Sequence, residues 1–185
     1  MTAATRTLED GTRAEDLLAR ATAGDEVAFT RIVALHHDAM VRVASIVTGT
    51  TDLADEAAAA AWSIAWRRLA DVRDPQRLRS WLVSVAANEA RALVRRRGTR
   101  RVVELDVAAA IPGSSHEDPA SRAADLDLAN ALGRLAPGDR ALLALRYVAG
   151  LDSFELARAT GRSPSGTRAR LARLLARLRV ELSDD

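Results

Sequence analysis

Ser153-Phe154-Glu155-Leu156-Ala157-Arg158-Ala159-Thr160-Gly161-Arg162-Ser163-Pro164-Ser165-Gly166-Thr167-Arg168-Ala169-Arg170-Leu171-Ala172-Arg173 is the stretch whose reading decides the fold. Ser163 is a good N-cap and Pro164 sits at a first helical position, where a missing N–H costs nothing, so a helix starts there. Leu171, Leu174, Leu175, Leu178 and Leu182 then share one face at helical spacing, and Arg170, Arg173 and Arg177 cluster on the other. A short helix, Ser153 to Thr160, precedes it across Gly161-Arg162-Ser163, in which Gly161 can turn left-handed. Helix, tight glycine turn and arginine-faced helix make a helix-turn-helix, whose second helix enters the major groove N-terminus first. Ser165, Thr167 and Arg168 fall at that leading end. A plain helical hairpin with a solvated Arg face is the competing reading.

Working outward, the turn signals predict an all-α chain. Leu126 to Leu135 and Gly138 to Ala149 read as two further helices, parted by Ala136-Pro137, with Gly150 closing the second. From Gly98 to Ala120, Pro112-Gly113-Ser114-Ser115 and Asp118-Pro119 break any period, which predicts a flexible linker. Before it, Ala14 to about Arg97 is helical almost throughout, interrupted only at Thr48 to Asp52 and Asp71 to Pro75. One short and three longer helices result. The division is therefore 14–98, 99–120 and 121–185: two small helical modules on a tether.

Composition supports this. The chain has 185 residues, of which 48% are hydrophobic, only 3% aromatic and 39 alanine, a balance that favours helices over sheets. There is no cysteine, which excludes disulfide frameworks, Cys-ligated zinc and thiol catalysis. No apolar run is long enough for a membrane span and the N-terminus is not of signal-peptide type, so a soluble, cytoplasmic protein is expected, with no membrane insertion.

The net charge of +2 conceals alternating blocks. Residues 67–101 hold 11 Arg against 3 acids and 134–185 hold 10 against 6, whereas 1–66 and 102–133 each carry −5. Two separate arginine blocks suit a protein that grips a polyanion at two places; two solvated helix faces would give the same count. In the first block Asn88 and Arg91 are followed by Arg95, Arg96 and Arg97, with Arg100 and Arg101 beyond. A helix dipole accounts for one or two cations at a C-terminus, not for six. Trp62 and Trp66 share a face at i, i+4, and Trp81 lies in the next helix. Their apolar periodic setting favours core packing over base stacking.

Taken together these residues resemble the extracytoplasmic-function (ECF) sigma factors of the sigma-70 family. The likeness runs from about Asp16 to Leu182. It rests on Leu17-Leu18-Ala19-Arg20-Ala21-Thr22-Ala23-Gly24-Asp25-Glu26, on Arg79-Ser80-Trp81-Leu82-Val83-Ser84-Val85-Ala86-Ala87-Asn88 with Arg95-Arg96, and on Leu145-Arg146-Tyr147-Val148-Ala149-Gly150-Leu151 with Phe154-Glu155-Leu156-Ala157 and Arg168 to Arg173. The resemblance implies a sigma region 2 helical bundle and a sigma region 4 helix-turn-helix that direct core RNA polymerase to promoter DNA. Asn88, Arg91, Arg95, Arg96 and Arg97 would hold the melted −10 strand beside a base-capturing loop at Asp71 to Leu78. Ser165, Thr167, Arg168, Arg170 and Arg173 would read the −35 element, and Asp55, Glu56 and Trp66 would meet the polymerase. An anti-sigma factor is a further partner common in the family, with the acidic linker a candidate for that contact, and the free chain is expected to be a monomer. No cofactor or metal is implied.

Three positions depart from the family pattern. Ala59-Ala60 replaces a usual Gln-Glu pair; in the helix-turn-helix Arg162 replaces an apolar turn residue, with Ser165-Gly166-Thr167 where Gly-Thr-Val is common; and Ala92 stands for the usual Asp following Asn88. The alternatives are a degenerate sigma-like protein with weakened core binding, or a helix-turn-helix regulator that works without polymerase. The second needs a receiver or sensor domain, and residues 1–120 contain no α/β receiver pattern. An enzyme is disfavoured: the three histidines, His36, His37 and His116, cannot make a metal cage, and neither a phosphate-binding glycine loop nor a nucleophile elbow occurs.

Overall fold

The computed structural model describes residues 14–97 and 119–183. All regular structure among them is helical. A short helix α1 over 14–22 leads into α2 (Glu26–Thr48), α3 (Thr51–Arg68) and α4 (Leu78–Arg96). After the expected linker, most of which lies outside the described residues, come α5 (Pro119–Gly133), α6 (Pro137–Leu143), α7 (Ser153–Thr160) and α8 (Pro164–Glu181).

Local signals set these boundaries. The Asp25 carboxylate accepts the N–H groups of Val27 and Ala28 and so caps α2, while Gly49 ends it at φ 91°, a left-handed value that suits glycine. Backbone hydrogen bonding with Ala28 first, and then the Arg20 guanidinium, holds the Asp25 carboxyl below the usual carboxylate range. Between α3 and α4 the chain makes two single 3₁₀ turns, Leu69–Asp71 and Pro75–Arg77, the second capped by Asp74.

Helices α2, α3 and α4 pack pairwise into one bundle. The alanine tract explains how they come so close. Ala54, Ala57, Ala61 and Ala65 are buried along one stripe of α3 and share a core with Ala86, Ala87 and Ala90 of α4, where small side chains let helix backbones approach. Met40, Val43, Val47, Ile32, Leu82 and Val83 fill the rest. Trp62 and Trp81 pack at the edge of this core as expected, whereas Trp66 is left exposed. Phe29 meets Trp62 and Trp66 edge to face at centroid distances of 5.8 and 4.7 Å, and the Trp62 indole N–H donates to His37 Nδ1 at 3.2 Å.

Two boundaries differ from the sequence reading. Helix α5 is described from Pro119 rather than from Leu126: proline is tolerated in a first helical turn, so Pro119 does not act as a breaker. The helix expected to run to Ala149 is α-helical only to Leu143 and continues as a π turn over Ala144–Val148, closed by Ala149 N–H to Ala144 O at 3.0 Å.

The two modules also pack against each other. Leu135, Leu142, Leu143 and Leu145 belong to the same contiguous buried cluster as Val43, Val47 and Leu82. Helix α6 and the π turn lie against α2 and α4.

Candidate nucleic-acid interface

The residues expected to hold the strand are set out along α4. Asn88 is exposed and accepts from the Arg91 guanidinium at 3.2 Å. Arg95 and Arg96 are exposed on the last turn, where the helix dipole favours cations. Arg97, the C-cap, is drawn aside: its guanidinium pairs with Glu56 at 2.6 Å, so a residue assigned to DNA holds one assigned to the polymerase. Arg91 is half-buried beside Gly138 of α6, where an added Cβ would stand 3.9 Å from its Nε.

The loop after α3 and the outer face of α4 form one side of a cleft of about 420 Å³, with Trp81, Ser84 and Asn88 on α4 and Arg73 and Arg77 on the loop. Glu155 and Arg158 of α7 supply the opposite side. Arginines, a half-buried indole and a terminal amide can hold a phosphate, stack a base and hydrogen-bond its edge, the elements that capture of an unstacked nucleotide needs. Among the described residues no cluster of His, Asp and Glu has the makings of a metal site, and no helix is long and apolar enough to cross a membrane.

The second surface is the α7–α8 pair. Asp152 caps α7 in a reciprocal capping box with Glu155. Gly161 follows at φ 65°, and the Ser163 hydroxyl accepts the Gly166 N–H to start α8 with Pro164 in its first turn. Ser165, Arg168 and Arg173 are exposed. Arg170 is held by Asp139 of α6, with Nε and Nη2 at 2.7 and 2.6 Å from one carboxylate oxygen, so it fixes the pose of α8.

Thr167 requires a correction. It is 1% exposed and its hydroxyl has no hydrogen-bond partner among the described residues, so it packs beneath α8 and does not face DNA. The reason is register: Leu171, Leu174 and Leu178 lie four, seven and eleven residues after it on the same apolar stripe.

The residues expected to meet the polymerase are accessible. Asp55 and Glu56 are exposed on the first turns of α3, and Trp66 is 42% exposed while its ring edge meets Phe29. One functional candidate escaped the sequence reading altogether. Arg140 is buried, and its guanidinium donates to three backbone carbonyls, those of Val47, Gly133 and Leu135. Burial lowers its pKa. His36, half-buried, is likewise pushed below its ordinary value of 6.5, first by burial and then by the charge of Arg79.

Two family models match this chain, Sigma-70 region 2 over residues 32–100 and Sigma-70, region 4 over 125–178. The first takes in α3, α4 and the cleft loop, the second α6 to most of α8. The chain belongs to the sigma-70 family, in its ECF group. Among its relatives is the RNA polymerase sigma factor CnrH of Cupriavidus metallidurans, 29% identical over 180 residues that cover 91% of this chain and 94% of that one. The sigma factor NccH of Alcaligenes xylosoxydans xylosoxydans is 28% identical, with 89% and 91% covered. The solved structure of CnrH with the cytosolic domain of CnrY superposes with a TM-score of 0.68 at 28% identity, covering 91% and 96% of the two chains. The sigma factor RpoE of Bartonella quintana, solved with the anti-sigma factor NepR, shares the fold at TM-score 0.65 and 22% identity over 85% of this chain and 98% of that one.

In the sigma factor the buried Thr167 hydroxyl gives a clean prediction. Thr167→Val removes an unpaired polar atom without changing shape and is expected to raise stability by about 1 kcal/mol, read as a higher denaturation midpoint. Upstream promoter preference should stay as it was. A changed preference would return Thr167 to the DNA-facing set.

Proposed function

We propose that residues 14–98 act as region 2 and residues 121–185 as region 4 of a sigma factor that directs core RNA polymerase to promoters in the cytoplasm by binding alone. The carrying observation is the pair of arginine-rich helix surfaces, each beside a feature that can read nucleic acid: the α4 turn with Arg95 and Arg96 beside the Trp81 cleft, and the leading end of α8 with Ser165, Arg168 and Arg173. Arg91, Asn88 and the loop over Asp71 to Leu78 would hold the unstacked −10 strand. Arg168 and Arg173 would enter the major groove at the −35 element, with Arg170 orienting the helix through Asp139. The exposed Asp55, Glu56 and Trp66 form the polymerase-facing surface. An anti-sigma factor is the second protein partner, as the relatives solved with CnrY and with NepR suggest.

Two small modules gain affinity for two separated elements only when something fixes their spacing, because joining then makes the second contact intramolecular. Gel-shift and run-off assays should therefore show weak promoter binding by the free chain and selective initiation once core polymerase is added. Tight, sequence-specific footprints by the free chain would refute this reading, as would failure to form a complex with core polymerase.

A further inference from the structure

The cleft between the loop after α3, the outer face of α4 and the facing side of α7 measures about 420 Å³, a volume within the range of small-molecule sites. Its polar groups divide into committed and free. Four arginines and three acids line it, and every one of the acids is engaged. Asp71 accepts from Arg68 at 2.8 Å, Asp74 from Arg77 at 3.1 Å, and the Glu155 carboxylate from the Asp152 N–H at 2.9 Å. Arg73 on the loop and Arg158 on α7 are exposed, line the cleft from opposite walls and make no ion pair among the described residues. The uncommitted charge of the cleft is therefore two guanidiniums.

The uncharged groups divide in the same way. The Asn88 carbonyl oxygen takes the Arg91 guanidinium at 3.2 Å, which leaves the amide nitrogen, a donor, as the free end of that side chain. The Ser80 and Ser84 hydroxyls donate to the backbone carbonyls of Arg77 and Ser80 at 3.1 and 2.6 Å, so toward a ligand they offer lone pairs only. The half-buried Trp81 indole lies in the same lining.

This set of free groups specifies a ligand chemistry. Two guanidiniums from opposite walls suit an anion with several oxygens, and phosphate matches their forked geometry. An indole suits a flat ring, the Asn88 amide suits an acceptor on that ring's edge, and the serine lone pairs suit a hydroxyl or amino group. A sugar phosphate lacks the ring and a free base lacks the charge. A nucleotide has all four features.

We propose that the cleft is a binding site for a free nucleoside monophosphate, with the phosphate held between Arg73 and Arg158 and the base against Trp81, its edge acceptor on the Asn88 amide. This goes beyond the strand-holding reading of α4, which uses neither a free ligand nor Arg158 of the C-terminal module. Binding needs no polymerase and no promoter.

Calorimetric titration of the free, full-length chain with GMP is expected to show one saturable site. The protein has three tryptophans, so three indole N–H signals, assigned by replacing one tryptophan at a time, locate the ligand by nuclear magnetic resonance. The Trp81 signal should move and those of Trp62 and Trp66 should stay. Arg73→Gln and Arg158→Gln should each weaken GMP by about tenfold, the loss of one charge-assisted contact. Both positions are exposed, so neither change disturbs the core. Arg177→Gln removes the same charge from the far part of α8, outside the cleft, and should leave GMP binding as it was. Guanosine and inorganic phosphate should each bind about tenfold more weakly than GMP or worse, because each lacks half of the contacts.

No saturable binding would overturn the site, as would a shift confined to Trp62 or Trp66. Equal losses in Arg158→Gln and Arg177→Gln, or inorganic phosphate binding as tightly as GMP, would reduce the cleft to a basic patch and overturn it as well. Promoter-specific transcription with core polymerase is scored in parallel. GMP binding without transcription sinks the sigma reading and spares the nucleotide site, and transcription without GMP binding does the reverse.

Discussion

Open-complex formation by the Arg95→Ala, Arg96→Ala double variant with core polymerase is expected to fall by about a hundredfold or more on every promoter, since each lost charge-assisted contact costs about 1.5–3 kcal/mol. These two arginines are the pair to change because both are exposed on the last turn of α4, whereas Arg97 is engaged by Glu56 and Arg91 by its place beside Gly138 and Asn88. Removing them should cost the fold little. A solvated cation near a helix C-terminus contributes about 0.3–1 kcal/mol, and the buried face of α4, Leu82, Val83, Ala86, Ala90 and Leu93, is untouched. Contacts to phosphate carry no sequence information, so the loss should be general, and the salt dependence of binding should fall by about 0.7 per contact on a single strand. Permanganate reactivity of the melted segment, measured across a salt series with core affinity determined separately, checks it. Normal melting with an unchanged salt slope would remove the α4 terminus from the strand path.

Much of this architecture was legible because the relevant physics is local. Ser163-Pro164 and Gly161 specify a cap, a first turn and a left-handed stop within four residues, and all three appear as read. The apolar stripes of α3, α4 and α8 follow from 3.6-residue periodicity alone. What was missed depends on distant or context-dependent partners. Asp118-Pro119 has the same composition whether it breaks a helix or begins one, and only the chain beyond it decides. Arg140 was counted as one charge in a basic block, yet it falls three and four residues before Leu143 and Ala144 and so lies on their buried face. A cation on an apolar stripe was the available signal. Its partners, carbonyls at the ends of two other helices, leave no mark in side-chain identity. Thr167 departs for a related reason: the leading end of a recognition helix reads whole as DNA-facing, although periodicity places Thr167, the fourth residue of α8, under the helix with Leu171 and Leu174.

Arg168→Ala is expected to relax the preference at one base pair of the upstream element by roughly 1–3 kcal/mol, while Arg177→Ala leaves the preferred sequence unchanged and lowers affinity little. Both side chains are exposed, so neither substitution opens a cavity. Their difference is position. Helix α8 begins at Pro164, which places Arg168 at the end of the first turn and Arg177 more than two turns further on. A helix that enters the major groove by its N-terminus brings the first to base edges and carries the second out along the backbone. Arginine also has the fork that matches the two acceptors of guanine, so the lost discrimination should be against replacements of a guanine. Arg170 provides the internal contrast. Because Asp139 holds it, Arg170→Ala should weaken binding to all upstream sequences alike through a less fixed α8, without moving the preferred base. Transcription from a library randomised in the upstream element, with wild type and the three variants compared, reads all of this at once. If Arg177→Ala shifts the preferred sequence and Arg168→Ala does not, α8 enters the groove from its other end, and Ser165, Arg168 and Arg173 have to be reassigned from base readout to the phosphate backbone.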